Sequence, residues 1–253
     1  MNAYDILAHY YDADLRDYHE DLPFLREMAR RADGPLLELM CGTGRLLLPL
    51  AEAGFTITGV DSSPAMLAIA RAHVDEAGLG DRVTLIQGDV QDVALPAEAF
   101  SLAFVAVNSF MHLETVRDQL ACLTNVRRAL QRRGLLIIDL FNPNPAEILR
   151  EDNRLVLERE YRLNGRHVQK FVAIDSDAAT QISRVTFLYD ETDADGHVTR
   201  RTSRFVLRWF YRYEIEHLLA RAGFMTRAVY GSYDLAEYDS DSARLIVVAS
   251  PDR

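Results

Sequence analysis

Lysine is nearly missing from this chain of 253 residues: Lys170 stands alone, and every other one of its 28 basic side chains is an arginine. Arginine keeps its charge and suits two-pronged contact with carboxylate or phosphate, although coding composition or a hot habitat produces the same bias. Basic charge as a whole is scarce. The 28 basic side chains face 38 acidic ones, for a net charge of −10 and a pI near 5.2. A phosphate backbone is held by a basic face, so no nucleic-acid partner is expected, and no anionic membrane surface. Cysteine is scarce too. Cys41 and Cys122 lie in apolar surroundings without C-x-x-C spacing, which supports neither a disulfide framework nor a metal site. No apolar run approaches the ~20 residues that span a bilayer. The start M-N-A-Y-D-I-L-A lacks the basic and apolar stretches of a signal peptide. The expectation is a protein of the reducing cytoplasm, forming one large domain or one domain with a sizeable insertion.

From Leu36 to Pro143, short apolar runs alternate with helical patterns. The runs are Pro35–Cys41, Phe55–Val60, Val83–Ile86, Leu102–Val107 and Leu135–Leu140. Ser63 suits an N-cap with Pro64 at the first helical position, and Thr115 with Asp118 suits a capping box. Apolar runs separated by helices indicate parallel strands covered on both faces, hence a doubly wound α/β domain. After Pro145 the pattern changes to an antiparallel meander, with turns expected at Asn164-Gly165 and Asp195-Gly196. In its last strand Phe205, Leu207 and Trp209 share one face, and Arg204, Val206 and Arg208 the other. Helical periodicity returns at Ile215, Leu218 and Leu219 and stops at Gly223, and two more strands follow.

The most informative stretch is Glu38-Leu39-Met40-Cys41-Gly42-Thr43-Gly44-Arg45, between the first strand and the first helix of the α/β region. Glycines there let a ligand approach the backbone, and a helix N-terminus offers free N–H groups. A dinucleotide fingerprint would place a third glycine where Leu47 stands, and Glu38 would repel a pyrophosphate. A nicotinamide oxidoreductase is therefore disfavoured. Glu38 suits a ligand ammonium, and Asp61, at the end of the second run, suits the two hydroxyls of a ribose.

These residues resemble a known family. E-L-x-C-G-T-G-R at 38–45, G-V-D-x-S-x-x-M-L at 59–67 and Q-G-D-V at 87–90 are similar to the class I S-adenosylmethionine-dependent methyltransferases. Y-D-x-L-A-x-Y-Y-D at 4–12 resembles the N-terminal helix that caps the cofactor in small-molecule members, and the meander resembles that of sugar amine and glycine N-methyltransferase-like enzymes. The resemblance implies a Rossmann-like, mostly parallel seven-stranded sheet with an antiparallel meander inserted after the fifth strand. Its domains would be 1–145 with 211–253, and an insertion at 146–210 that walls the substrate or meets a second copy. It implies S-adenosylmethionine as cofactor and S-adenosylhomocysteine as product. Gly42 and Gly44, with Cys41 and Thr43 between and beside them, would line the methionine portion, and Glu38 would sit near its amino group. Asp61 with Ser62 would hold the ribose, and Met66 would pack on adenine. Gly88, Asp89 and Val90 would read the adenine edge, Asn108 would offer backbone near the amino end, and Tyr11 would close the pocket and stand beside His112 as a candidate catalytic residue.

Methyl transfer from a sulfonium is an in-line displacement in which positioning does most of the work. His112 follows the fourth run, at the sheet edge where open α/β folds bind ligands, and is the candidate general base. The same position suits a histidine that orients a loop or caps the Thr115 helix. Asn142-Pro143 suits plain turn chemistry. The arginines at 200, 201, 204, 208 and 212 suit either pairing with acids of the meander or a grip on an anionic substrate. Two functions fit: a methyltransferase acting on nitrogen or oxygen of a small molecule, and a catalytically silent cofactor-binding module.

Overall fold

Successive side chains of a strand point to opposite faces, so a strand apolar at every position needs cover on both sides. The computed structural model of the protein describes residues 4–145, 148 and 153–252. Residues 1–3 and 253, and positions 146, 147 and 149–152 of the expected insertion, lie outside them. The main sheet has β1 (Leu36–Leu39), β2 (Ile57–Asp61), β3 (Val83–Gln87), β4 (Phe100–Val105), β5 (Leu130–Phe141), β10 (Phe224–Tyr230) and β11 (Arg244–Pro251), in the order β10-β11-β5-β4-β1-β2-β3. The first five run parallel, and β11 is antiparallel to both β5 and β10.

Alternation splits the core in two. Leu37, Ala103, Leu136 and Ile138 pack with Cys122, Leu123 and Val126 of α5 (Val116–Ala129) and with Ile215 and Leu219 of α6 (Arg212–Arg221). On the opposite face Leu36, Ile57, Leu102 and Ile137 pack with Phe24 and Met28 of α2 (Leu22–Ala32), Leu47 and Leu50 of α3 (Leu47–Glu52), and Leu67 and Val74 of α4 (Pro64–Glu76). The expected doubly wound architecture is present. Ser63 caps α4 by accepting from the Met66 N–H at 3.2 Å, and Thr115 caps α5 by accepting from the Asp118 N–H at 3.2 Å. Among the described residues no helix is long and apolar enough to cross a membrane.

The meander is a four-stranded antiparallel sheet of β6 (Leu155–Leu163), β7 (Arg166–Asp177), β8 (Ile182–Thr192) and β9 (Val198–Arg208). At Asn164-Gly165 both residues take positive φ, 50° and 80°, as a two-residue hairpin requires. The second turn departs from expectation. The Asp193 side chain accepts from the N–H groups of Asp195 and His197 and builds a five-residue loop in which only Gly196 is left-handed. The inner face is covered by the chain itself. Leu7 and Tyr10, at the start and middle of α1 (Ala8–Leu15), pack on Val168 and Tyr189, and Tyr10 stacks on Tyr189 with centroids 4.3 Å apart.

Trp209 joins the two sheets. It is 2% exposed within the main core, and its backbone N–H and carbonyl pair with Gln181. The Gln181 amide also donates to Glu214 of α6 at 2.6 Å, and Arg208 donates to the other Glu214 oxygen at 2.7 Å. Trp209→Ala is expected to cost about 3–5 kcal/mol of unfolding free energy. Urea titration followed by far-ultraviolet circular dichroism measures it. A loss below about 1 kcal/mol would show that the junction does not depend on this ring.

Candidate functional site

Strand order reverses between β1 and β4, and the crevice outside the C-terminal ends of such strands is where α/β sheets bind ligands. Met40, Gly42 and Gly44 leave β1 with φ of 55°, 55° and 84°, so the loop turns sharply and presents its backbone. Asp61 ends β2 and fixes this loop: Oδ2 accepts from the Gly42 N–H at 2.9 Å and Oδ1 from the Ser63 N–H at 2.8 Å. The Ser63 hydroxyl donates to Asp5 Oδ1 at 2.6 Å, drawing the N-terminal segment over the loop. The Tyr11 ring then lies on Gly42 so closely that a Cβ there would be 3.1 Å from Tyr11 Cε1. Thr43 and Gly44 are buried, Ser62 is exposed, and Met66 is buried in the first turn of α4.

Glu38 is 4% exposed, and its Oε2 has no hydrogen-bond partner among the described residues. Burial pushes its carboxyl up to about 8, helped by Asp21 and Asp61 and opposed by Arg45. Arg45 is committed elsewhere. It donates to both Asp21 oxygens at 2.8 and 2.6 Å and to the Tyr18 carbonyl at 2.9 Å, with its guanidinium over the Tyr18 ring. Burial also raises Asp61. It raises the Cys41 thiol well above its ordinary value, which makes Cys41 a packing residue rather than a nucleophile.

The remaining residues follow β3 and β4. Gly88 packs against Val93, whose Cγ2 lies 2.6 Å from where a Cβ would stand. Val90 is buried, its carbonyl held by the Asn125 amide at 3.2 Å, and Asp89 is exposed and accepts from the Gln91 N–H at 2.9 Å. Val107 and Asn108 are both left-handed, with φ of 48° and 64°. A β-branched residue there is strained and needs outside support. Asp139 supplies it, accepting from the Val107 N–H at 3.0 Å and the Tyr233 hydroxyl at 2.9 Å on Oδ2, and from Arg244 Nε at 2.9 Å on Oδ1. Asn108 is held at both its backbone and its side chain. Its N–H donates to the Asp139 carbonyl, its carbonyl accepts from Met111, and its side chain accepts from the Phe141 N–H at 2.6 Å.

His112 closes a short 3₁₀ turn, Ser109–His112, against the second sheet. Its Nε2 and the Tyr4 hydroxyl are 2.9 Å apart, and its ring meets Tyr4 and Phe205 at 5.2 and 5.5 Å. Burial lowers the imidazole to about 4, against a backbone hydrogen bond with Val206 that raises it. The ring is neutral near pH 7 and faces the meander; it does not cap the Thr115 helix. The arginine strip is largely paired internally: Arg200 with Asp190, Arg208 with Glu214 and Arg212 with Glu216. Tyr18, Asp21, Arg45, Tyr233 and Arg244 were not identified from sequence as site support. The signals available were Arg45, which closes the glycine-loop motif, and Arg244, a charge opening an otherwise apolar strand.

Residues 36–134 match the sequence family described as a methyltransferase domain. A putative methyltransferase of Bacillus subtilis is 31% identical over 107 residues, 42% of this chain and 42% of that protein. The cypemycin N-terminal methyltransferase of a Streptomyces species is 28% identical over 221 residues, 87% of this chain and 84% of its own. The solved sugar N-methyltransferase KedS8 from a Streptoalloteichus species is similar with a TM-score of 0.77 at 22% identity, covering 96% of this chain and 92% of that one. The chain spans somewhat less than half the length of the curated relatives it matches at 30% identity or above.

The raised carboxyl of Glu38 gives stability a direction with pH. Unfolded, the group ionises near its ordinary 4.5; folded, it keeps its proton to about 8. Between those values the native state binds more protons than the unfolded chain, so this group lowers stability as pH rises. Glu38→Gln is therefore expected to raise the melting temperature at pH 8 and to leave it nearly unchanged at pH 4.5. Thermal melts of the two proteins at both pH values test this. An equal shift at the two pH values would refute the assignment.

Proposed function

We propose, from the match of residues 36–134 to a methyltransferase domain, that this chain is a class I S-adenosylmethionine-dependent enzyme that transfers a methyl group to a nitrogen or oxygen of a small-molecule acceptor. The observation that carries the reading is Glu38: a buried carboxylate oxygen without a partner, beside a glycine loop whose backbone a ring already approaches. A desolvated acid of that kind is completed by a cation, such as the amino group of the methionine portion. The residues fit the rest of the cofactor. Gly42 and Gly44 lack the side chains that would block the loop, with Cys41 and Thr43 shaping it from within. Asp61, which accepts from the backbone N–H groups of Gly42, Ser62 and Ser63, keeps acceptor capacity for a ribose hydroxyl beside Ser62. Met66, Gly88, Asp89 and Val90 flank the adenine side, and Tyr11 covers the loop. When bound, S-adenosylmethionine supplies an electrophilic methyl on a sulfonium and leaves as S-adenosylhomocysteine.

The acceptor lies, on this reading, against Tyr4, His112, Phe205 and Phe187, a run of rings on the inner face of the meander. A nitrogen acceptor is favoured by the cypemycin relative, which matches most of the chain. His112, held neutral with its imidazole near 4 and hydrogen-bonded to Tyr4 and the Val206 backbone, accepts a proton only by releasing the Tyr4 hydroxyl, and otherwise orients the acceptor through that hydroxyl. It therefore contributes no acidic limb to a rate profile between pH 6 and 8, where the groups left to titrate are the acceptor amine and Glu38. The face of Phe205, Leu207 and Trp209 is taken by the chain's own residues. A homodimer through the insertion would use the edge strand β6, where Leu155, Val156 and Leu157 are exposed. A cytoplasmic location belongs to the same reading.

Calorimetry with S-adenosylhomocysteine tests the donor site. Asp61→Ala is expected to weaken binding about ten- to a hundredfold, the worth of hydrogen bonds to a charged group. Absent binding in wild type, or equal binding by the variant, would sink the reading. For the acceptor side, His112→Ala is expected to lower kcat about a hundredfold at unchanged affinity for S-adenosylhomocysteine. Unchanged turnover would assign His112 to loop packing alone.

A further inference from the structure

The single lysine of the chain is buried, and an ammonium is costly to remove from water unless its partners are close. Lys170 lies on β7 at 7% exposure, with Nζ 2.9 Å from Asp14 Oδ2 and 2.7 Å from Glu158 Oε2. The ammonium also sits 4.2 Å from the centroid of Phe187. The Tyr189 hydroxyl donates to the same Asp14 oxygen at 2.6 Å, and Arg159 donates to the Asp14 carbonyl at 2.7 Å. Lys170, Tyr189 and Arg159 thus converge on Asp14, one residue of α1. Asp14 stands about one helical turn beyond Tyr11, the ring that covers Gly42. Tyr10, just ahead of Tyr11, is stacked on Tyr189 and donates to Glu191 at 2.6 Å.

We propose that Lys170 is a positioning residue for the donor site: through Asp14 it clamps α1 to the four-stranded sheet, and α1 thereby holds the Tyr11 ring over Gly42. The proposal rests on the donor-site reading above. An eight-residue helix moves as a unit. Lifting Tyr11 off the loop, as exchange of a bound ligand requires, draws Asp14 away from Lys170 and opens the ammonium to water. A ligand that favours the closed arrangement must then protect Lys170, and weakening the clamp must weaken that ligand.

Because no other side chain carries a primary amine, an acetylating reagent reads this one position in the intact wild-type protein. Acetylation of Lys170 is followed by peptide mass spectrometry with and without S-adenosylhomocysteine, with a lysine dipeptide in the same tube calibrating the reagent. Saturating ligand is expected to slow acetylation at least about fivefold. In parallel, Lys170→Met is expected to raise the Kd for S-adenosylhomocysteine about tenfold, and Lys170→Met with Asp14→Asn to raise it no further, as for two groups acting as one unit. A purely structural lysine would lower the urea midpoint and leave that Kd alone. Equal acetylation rates in protein that calorimetry shows to be saturated overturn the proposal by itself. Absence of binding heat in wild type overturns the donor-site reading, and the proposal with it.

Discussion

A carboxylate buried without a full set of partners governs the arrangement at the top of β1. Glu38 is placed by strand alternation on the face shared with Leu36, where water does not reach, and the nearest cation is already spent on Asp21. Such a group lowers stability near neutral pH, and neighbouring Asp21 and Asp61 add to the cost. Sites that break the rule of satisfied burial in this way are where function is expected, because a ligand of the right charge recovers what folding gave up. The doubly bonded Arg45–Asp21 pair, itself almost fully buried, keeps the loop rigid without neutralising Glu38. Rigidity and an unsatisfied carboxyl therefore coexist within one strand-to-helix turn.

The second constraint is that α1 serves both sheets. One side of it stacks Tyr10 on Tyr189 and lodges Asp14 among Lys170, Tyr189 and Arg159, and the other sets Tyr11 on Gly42. Just ahead of the helix, Tyr4 touches Tyr11, His112 and Phe205, and Phe205 meets Phe187 edge-on at 4.9 Å. Ring contacts of this geometry add roughly 0.5–1.5 kcal/mol each beyond buried area. The N-terminal segment is thus no loose cap on the parallel sheet; it is the contact layer between that sheet's loops and the meander.

What could be read beforehand was whatever depends on neighbours in sequence. The glycine loop, the Ser63 and Thr115 caps, the five parallel runs and the Asn164-Gly165 turn all follow from residues within a few positions of one another. The Asp195-Gly196 turn misled because Asp193, two residues upstream, outcompetes the backbone for the local N–H groups. The support beneath Val107 and Asn108 was hidden for a different reason. Asp139 is joined there by Tyr233 and Arg244, which are 94 and 105 residues away along the chain, and no local pattern announces such a meeting. The clamp on Lys170 was equally hidden: its partner Asp14 lies in a helix that sequence alone attached to the parallel domain.

The distribution of charge narrows what the acceptor side can select. Arg200, Arg208 and Arg212 are taken up by acids of the meander and α6, so the strip that looked suited to an anion is largely internal. The surface nearest His112 is made of Tyr4, Phe205 and Phe187, beyond which Lys170 faces Asp14 and Glu158. An aromatic wall beside a neutral imidazole does little for an acceptor's charged form and a good deal for its uncharged one. For an amine that matters directly, since only the unprotonated nitrogen has the lone pair to attack a methyl group. On the proposed reading, the same desolvation that lowers His112 also lowers the pKa of a bound ammonium, and the wall readies the nucleophile by excluding water rather than by pairing with it.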